Sequence, residues 1–376
     1  MRVLVAPDSF KSTLPAAEAA AVIAAAARAA LPDAEVVTCP LADGGEGTLE
    51  VWSRAVNAEV FEVPACDLFG APLRCPVARD PVTGDVLIEA AHTCGLPPVG
   101  LRDPAAALST GLGLALREVL ARDPGARIRV ALGGTGTVDG GLGAARALGF
   151  LPGPAPGSAK AGILELAAAP AFSLPGPFRR PPVFLCDTRA PLLGPTGAAA
   201  AFGPQKGVGA DRTADFEAAL ARLVRAAAAA VGRPFEDAPG FGAAGGIAAL
   251  FSLLAGATCE PGAEFIFNAL QFARQVREAG LVVTGEGCLD DTSLTGKLVG
   301  AVAALCRDAG RPLLVVAGRS RLSPERLPPG VSVRTAAGPS EPDPDSNVAS
   351  AILYDAALTA FRDFSKKQLF GPAVLR

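Results

Sequence analysis

The sequence predicts a two-domain α/β protein: one parallel-sheet domain built from both chain ends, with a mixed-sheet α/β domain inserted between them. Three observations predict it. The chain has 376 residues, enough for two domains at roughly 150 residues each. Strand–helix–strand grammar opens the chain and returns after residue 275. Between these ends, three short apolar runs are punctuated by Gly/Pro/Asp turn signals and read as an antiparallel meander. The expected boundaries are 1–60 plus 275–376 for the outer domain and 61–274 for the inserted one.

Each element has a local reason. Residues 3–6 are a short apolar strand and 7–12 a loop, with Thr13 a candidate N-cap and Pro15 in the first helical turn. Residues 18–31 are an Ala-rich helix and 35–38 a second strand. The meander runs through 60–64, 73–78 and 86–90. A helix over 104–121, strands over 128–132 and 183–186, and an Ala-rich helix over 214–230 follow. The returning half reads strand 281–284, helix 296–309, strands 313–317 and 332–336, and a closing helix over 347–364.

Composition excludes several classes. Half the residues are apolar, 19% are charged and the net charge is -3, so the chain can bury a core and is not disordered. No basic excess exists to neutralise nucleic-acid phosphates. The eight cysteines form no C-x-x-C pair, which argues against zinc or a disulfide framework. The N-terminus has no secretory pattern, and the expected location is the cytoplasm, with reduced thiols. Residues 239–259 are uncharged and long enough to span a bilayer, but the first half is glycine-rich. They read as a loop entering a buried helix over 247–254, and no membrane association is expected.

The chemistry concentrates where strands end. A carboxylate follows four apolar runs, in three of them among glycines: Asp43-Gly44-Gly45-Glu46-Gly47, Gly133-Gly134-Thr135-Gly136-Thr137-Val138-Asp139-Gly140-Gly141, Cys186-Asp187, and Gly285-Glu286-Gly287-Cys288-Leu289-Asp290. Ligands bind outside the carboxyl ends of strands in α/β sheets. Glycine lets backbone N–H groups approach an anion, and carboxylates hold Mg²⁺ or accept a hydroxyl proton. These parts suit phosphoryl transfer. Lysine is scarce in this Arg-rich chain, yet Lys11, Lys206 and Lys297 stand in loop motifs, which marks them as candidates for phosphate contacts. P-loop and G-x-S-x-G signatures are absent, and no G-x-G-x-x-G follows a strand. The single histidine, His92, reads as structural or exposed.

Ala6-Pro7-Asp8-Ser9-Phe10-Lys11, Ala42-Asp43-Gly44-Gly45-Glu46-Gly47-Thr48, Phe202-Gly203-Pro204-Gln205-Lys206-Gly207, Gly242-Ala243-Ala244-Gly245-Gly246, and Gly285-Glu286-Gly287 with Asp290 and Gly296-Lys297 together resemble the class I bacterial glycerate kinases over nearly the whole chain. The resemblance implies a flavodoxin-like outer domain and ATP- and Mg²⁺-dependent phosphorylation of D-glycerate to 2-phosphoglycerate, by in-line transfer in the interdomain cleft. The catalytic candidates are Asp187, Asp290 and Lys11. The binding candidates are Lys206, Lys297, Ser9, Asp43, Gly44, Gly45, Gly133, Gly134, Gly245, Gly246 and Glu286. Asp187 and Asp290 are also the Mg²⁺ candidates, and Asp43 and Glu286 the alternatives for either carboxylate role. D-glycerate and ATP are the expected small-molecule partners, with a homodimer as the candidate assembly.

The chain departs from the family pattern at Val138 and Ala190, where Asn is usual, at Cys288 for Arg, at Thr292 for Gln and at Leu114 for Glu. These departures motivate two rivals: a kinase for a related small hydroxy acid, and a non-catalytic protein that binds glycerate and nucleotide.

Overall fold

The computed structural model describes residues 1–376 except 11–12, 98–102, 152–161, 166–170, 175, 177, 295–296, 337–345 and 371–376. Its strands, in chain order, are β1 Arg2–Val5, β2 Glu35–Thr38, β3 Glu59–Cys66, β4 Pro72–Arg79, β5 Asp85–Glu89, β6 Arg127–Ala131, β7 Val183–Cys186, β8 Thr258–Pro261, β9 Leu281–Leu289, β10 Leu313–Ser320 and β11 Val331–Thr335. The chain divides into two compact units, Met1–Asp43 with Ile266–Arg376, and Gly44–Phe265.

The first unit holds a five-stranded sheet in the order β11-β10-β9-β1-β2, parallel at every pairing. Both faces are covered, as a parallel sheet requires. Val3, Val5, Val283 and Val316 are buried with Ile23, Leu353 and Phe361, while Leu4, Val282 and Val315 on alternate positions are equally buried. The helices Ala16–Ala30 and Ser346–Phe370 pack on one another. Buried Ala19, Ala20, Ala24 and Ala27 on the first and Ala349, Ala356, Ala357 and Ala360 on the second make that contact small-sided. The first helix starts at Ala16 with Pro15 as its cap residue, not at Thr13: proline's fixed φ suits a helix start, and its missing N–H costs nothing there.

The second unit holds a six-stranded sheet in the order β3-β4-β5-β6-β7-β8. β3, β4 and β5 form the expected antiparallel meander, and β5 through β8 run parallel. Phe150, Phe184, Phe216 and Phe251 are fully buried, and the Phe251 ring meets those of Phe150 and Phe184 edge-on. The uncharged stretch 239–259 resolves into a turn and the nine-residue helix Ile247–Ala255. Among the described residues no helix is long and apolar enough to cross a membrane.

Several elements differ from the sequence reading, which has no counterpart of the strand Thr258–Pro261 or of the helices Leu142–Ala147 and Gly262–Ala269. The helix Thr48–Val56 was not foreseen; it buries Leu49, Val51 and Trp52 and packs on β4 and β5, so the second unit begins at Gly44 rather than at 61. The helix expected over 104–121 begins only at Thr110. The helix Phe272–Glu278 packs against β1, which takes the return to the first unit back to Ile266 rather than 275.

Candidate active site

The sequence-selected residues gather into two clusters, one at the carboxyl ends of the strands in each unit.

In the second unit, β5, β6 and β7 end side by side at Glu89, Ala131 and Cys186. Leu132 N–H donates to Leu185 O at 3.0 Å, and Gly133 N–H donates to Gly44 O at 3.1 Å. A β-carbon on Gly133 would stand 2.5 Å from Gly45 Cα and 3.5 Å from Asp187 Oδ2. Gly133 is therefore glycine because two backbones meet there. Gly44, Gly45, Gly133, Gly134 and Asp187 are brought together, but the Gly133 N–H is engaged with Gly44 and is not an anion donor. Gly245 plays a similar packing part: its β-carbon would lie 2.1 Å from Thr137 O and 2.6 Å from Val138 Cα, and Thr137 Oγ1 donates to Ala244 O. The Gly246 N–H is likewise taken, by Ala243 O.

Lys206 is 3% exposed, and its Nζ donates to Thr137 O at 2.9 Å. Burial pulls its pKa down to about 8, against the opposing pull of the Asp187 and Asp139 charges. The amine is thus placed among backbone and carboxylates in the interior rather than on an open surface. Asp139 is structural: its carboxylate accepts from Ser109 N and Oγ, Gly141 N and Gly143 N.

Sequence reasoning missed Glu89. It is 1% exposed, and its two oxygens accept Gly47 N–H at 3.1 Å and Leu49 N–H at 3.0 Å. Burial pushes its carboxyl up to about 7, with the two N–H bonds opposing and the Glu46 and Glu50 charges adding. The signal was present as a lone carboxylate ending the apolar run Val86-Leu87-Ile88. His92, 39% exposed at its side chain, stands 3.9 Å away through Nε2, and burial lowers its pKa.

In the first unit, Asp8 N–H donates to Gly285 O at 2.9 Å and Thr284 Oγ1 to Ala6 O at 2.7 Å. These bonds set the loop after β1 beside the outer part of β9. Asp8 and Asp43 are buried. Ser9 Oγ and Glu286 Oε1 are buried with no hydrogen-bond partner among the described residues. Burial pushes the Glu286 carboxyl up to about 7; Ser293 and the Lys297 charge oppose this, while Asp290 and Asp43 add to it. Asp290 accepts Ser293 N–H at Oδ1, 3.1 Å, and its own N–H donates to Ser293 Oγ. Lys297 is the cap residue of the helix Leu298–Asp308. Asp43, Glu286, Asp290 and Lys297 thus share one electrostatic neighbourhood, with Ser9 on the loop beside it. Lys11 lies outside the described residues, as does Gly296.

Of the departures from the family pattern, Val138 is fully buried. Ala190 O accepts from Gly240 N and Gly242 N. Cys288 on β9 stands opposite Arg319 on β10. Leu114 is half-buried on the helix Thr110–Arg122, and Thr292 lies in the short helix Asp291–Leu294.

Comparison with known proteins adds an independent line. The family model of the glycerate kinase family matches residues 3–352. The chain is 33% identical to a glycerate kinase of Bacillus subtilis over 85% of each chain. It is 32% identical to a glycerate 2-kinase of Escherichia coli, again over 85% of each. The crystal structure of a provisionally named glycerate kinase 2 from Salmonella typhimurium LT2 superposes with a TM-score of 0.76 at 29% identity, covering 98% of this chain and all of that one. With strand-end carboxylates and glycine turns in both units, and a family match that spans them, the chain belongs to the glycerate kinase family of enzymes.

Proposed function

We propose that the chain transfers the γ-phosphoryl group of ATP to the 2-hydroxyl of D-glycerate, giving 2-phosphoglycerate and ADP. The observation that carries this reading is the family match over residues 3–352, a span that contains every carboxylate and lysine of both clusters. The relatives named above are a glycerate kinase and a glycerate 2-kinase, which is the support for glycerate as acceptor and for its 2-position.

The transfer forms one bond, from the acceptor oxygen to Pγ, and breaks one, from Pγ to the ADP oxygen. The hydroxyl proton leaves to a carboxylate. Phosphoryl transfer asks little covalent chemistry of a protein, so its residues act by positioning and by neutralising charge. Asp187 and Asp290 are assigned the roles of base and Mg²⁺ ligand between them, with Asp43 and Glu286 as alternatives. Glu286 has a property that favours it as base: a carboxyl held near neutral pH accepts a proton with useful driving force while still ionised in good part. Lys11, Lys206 and Lys297 are assigned to the ATP phosphates and the substrate carboxylate. For Lys206 its bond to Thr137 O makes the contact a charge acting at the loop after β6.

Among the described residues no three His, Cys, Asp or Glu side chains form a ready metal cage. Mg²⁺ in kinases needs none, because it binds through one or two carboxylates together with phosphates and waters. Glu286 Oε1, buried with no hydrogen-bond partner among the described residues, and the Asp290 carboxylate beside it are the oxygen ligands that would hold it. When bound, Mg²⁺ supplies charge neutralisation on the transferring phosphoryl oxygens. ADP release measured with D-glycerate, tartronate and sugar acids side by side tests the reading against the related-acid kinase, and the absence of ADP with all of them would favour the binding protein.

A further inference from the structure

We infer that Glu89 is a positioning residue: it fixes the glycine turn 44–47 against Gly133 and thereby sets the surroundings of Asp187. The inference rests on the reading of Asp187 as a working carboxylate.

A helix is ordinarily capped by a Ser, Thr, Asn or Asp side chain just before its first residue. The helix Thr48–Val56 is preceded by Gly47, in a left-handed conformation at φ 88, which has no side chain to offer. Glu89, 40 residues along the chain from Leu49, takes that part instead. Both its oxygens go to backbone N–H groups of one turn. A carboxylate buried to this extent is costly unless such bonds hold it, so carboxylate and turn lock each other in place. The turn is tied onward: Gly45 O accepts Thr48 N–H, and Gly44 O accepts Gly133 N–H. Gly45 Cα abuts Gly133, and Asp187 Oδ2 lies beside the same spot. The turn therefore cannot shift without moving Gly133 or opening space at Asp187. The charged or titratable groups facing Glu89 are Glu46 on the turn, Glu50 on the helix, His92 after β5 and Cys75 on β4. Misplacement of a reacting group by about 1 Å costs about 100-fold in rate, which sets the scale of the effect.

The test uses the full chain and two readouts. In the unaltered protein the amides of Gly47 and Leu49, at a helix start where N–H groups normally exchange freely, should be protected at least about 100-fold from hydrogen exchange. In Glu89→Gln, whose amide nitrogen faces an N–H it cannot accept, that protection should fall about 10-fold or more while the strands keep theirs. In the same variant kcat with Mg·ATP and D-glycerate should fall about 10- to 100-fold, with the D-glycerate KM changed less than about threefold. Unprotected amides in the unaltered protein, or unchanged kcat in a folded Glu89→Gln, would overturn the inference. If Glu89→Gln does not fold, the exchange arm in the unaltered protein decides. If the unaltered protein turns over no acceptor, the kinase reading fails by itself and the exchange arm still decides whether Glu89 holds the turn.

Discussion

Gly133 and Gly45 meet backbone to backbone: a β-carbon on Gly133 would stand 2.5 Å from Gly45 Cα. The contact joins the end of β6 to the glycine turn that precedes the helix Thr48–Val56, with the Asp187 carboxylate 3.5 Å from the same point. A single methyl group there has nowhere to go except into the turn or toward Asp187.

Gly133→Ala should therefore separate packing from ordinary glycine effects. Overpacking of this kind costs about 1–3 kcal/mol, and displacement at a reacting group about 100-fold in rate. Gly125→Ala is the control, because its β-carbon would meet only Asp123 Oδ1, at 3.5 Å. Thermal melts and kcat/KM for both variants check this. Equal, small losses in the two would detach the Gly133–Gly45 contact from function.

Lys297 lowers the pKa of the Glu286 carboxyl through its charge, whereas Lys366 is exposed on the closing helix. Lys297→Ala should lose about 10²–10³ in kcat, the usual scale for a charge contact made in the transition state. Lys366→Ala should stay within about twofold of the unaltered protein. Assaying the pair under one set of conditions decides whether the scarcity of lysine marked a functional position.

Two buried glutamates predict a pH dependence of the fold's stability. Burial raises both Glu89 and Glu286 to about 7, from an ordinary value of 4.5. Between those values the folded chain binds protons that the unfolded chain has released. Stability therefore falls as pH rises through 4.5–7, by up to about 3 kcal/mol per residue. Denaturant unfolding at pH 5 and pH 8 should show this loss, and Glu89→Gln and Glu286→Gln should each flatten it. A slope unchanged in both variants would mean the carboxyls titrate normally.

Much of this was legible in the chain and some was not, for physical reasons. The strand-end loops at Asp43, Gly133 and Glu286 announce themselves because an apolar run followed by glycine and a carboxylate is a local pattern, and Asp187 because a carboxylate directly ends an apolar run. The meander of β3, β4 and β5 was legible for the same reason, through its turn residues. The helix Thr48–Val56 was not, since a glycine cap and a distant glutamate replace its local start signal. Glu89 was passed over because its partners, Gly47 and Leu49, are joined to it only by tertiary structure. The duties of Gly133 and Gly246 were misjudged for a related reason: the sequence shows glycine but not whether its N–H is already engaged.

Asp187→Asn and Asp290→Asn keep shape and remove charge, so they separate the two carboxylate roles. Loss of a general base should lower kcat by about 10²–10⁴ at every Mg²⁺ concentration. Loss of a metal ligand should raise the Mg²⁺ requirement, with partial rescue by excess Mg²⁺. Rate measured against Mg²⁺ for each variant assigns the roles. Near-normal curves in both would move them to Asp43 and Glu286.

The central claim is tested most directly by incubating the purified protein with Mg·ATP and D-glycerate and following ADP release and the phosphorylated product together. The account predicts ADP release that depends on D-glycerate, equimolar 2-phosphoglycerate, and loss of both in excess EDTA. Binding of both substrates without ADP, or transfer to another hydroxy acid but not to D-glycerate, would contradict it.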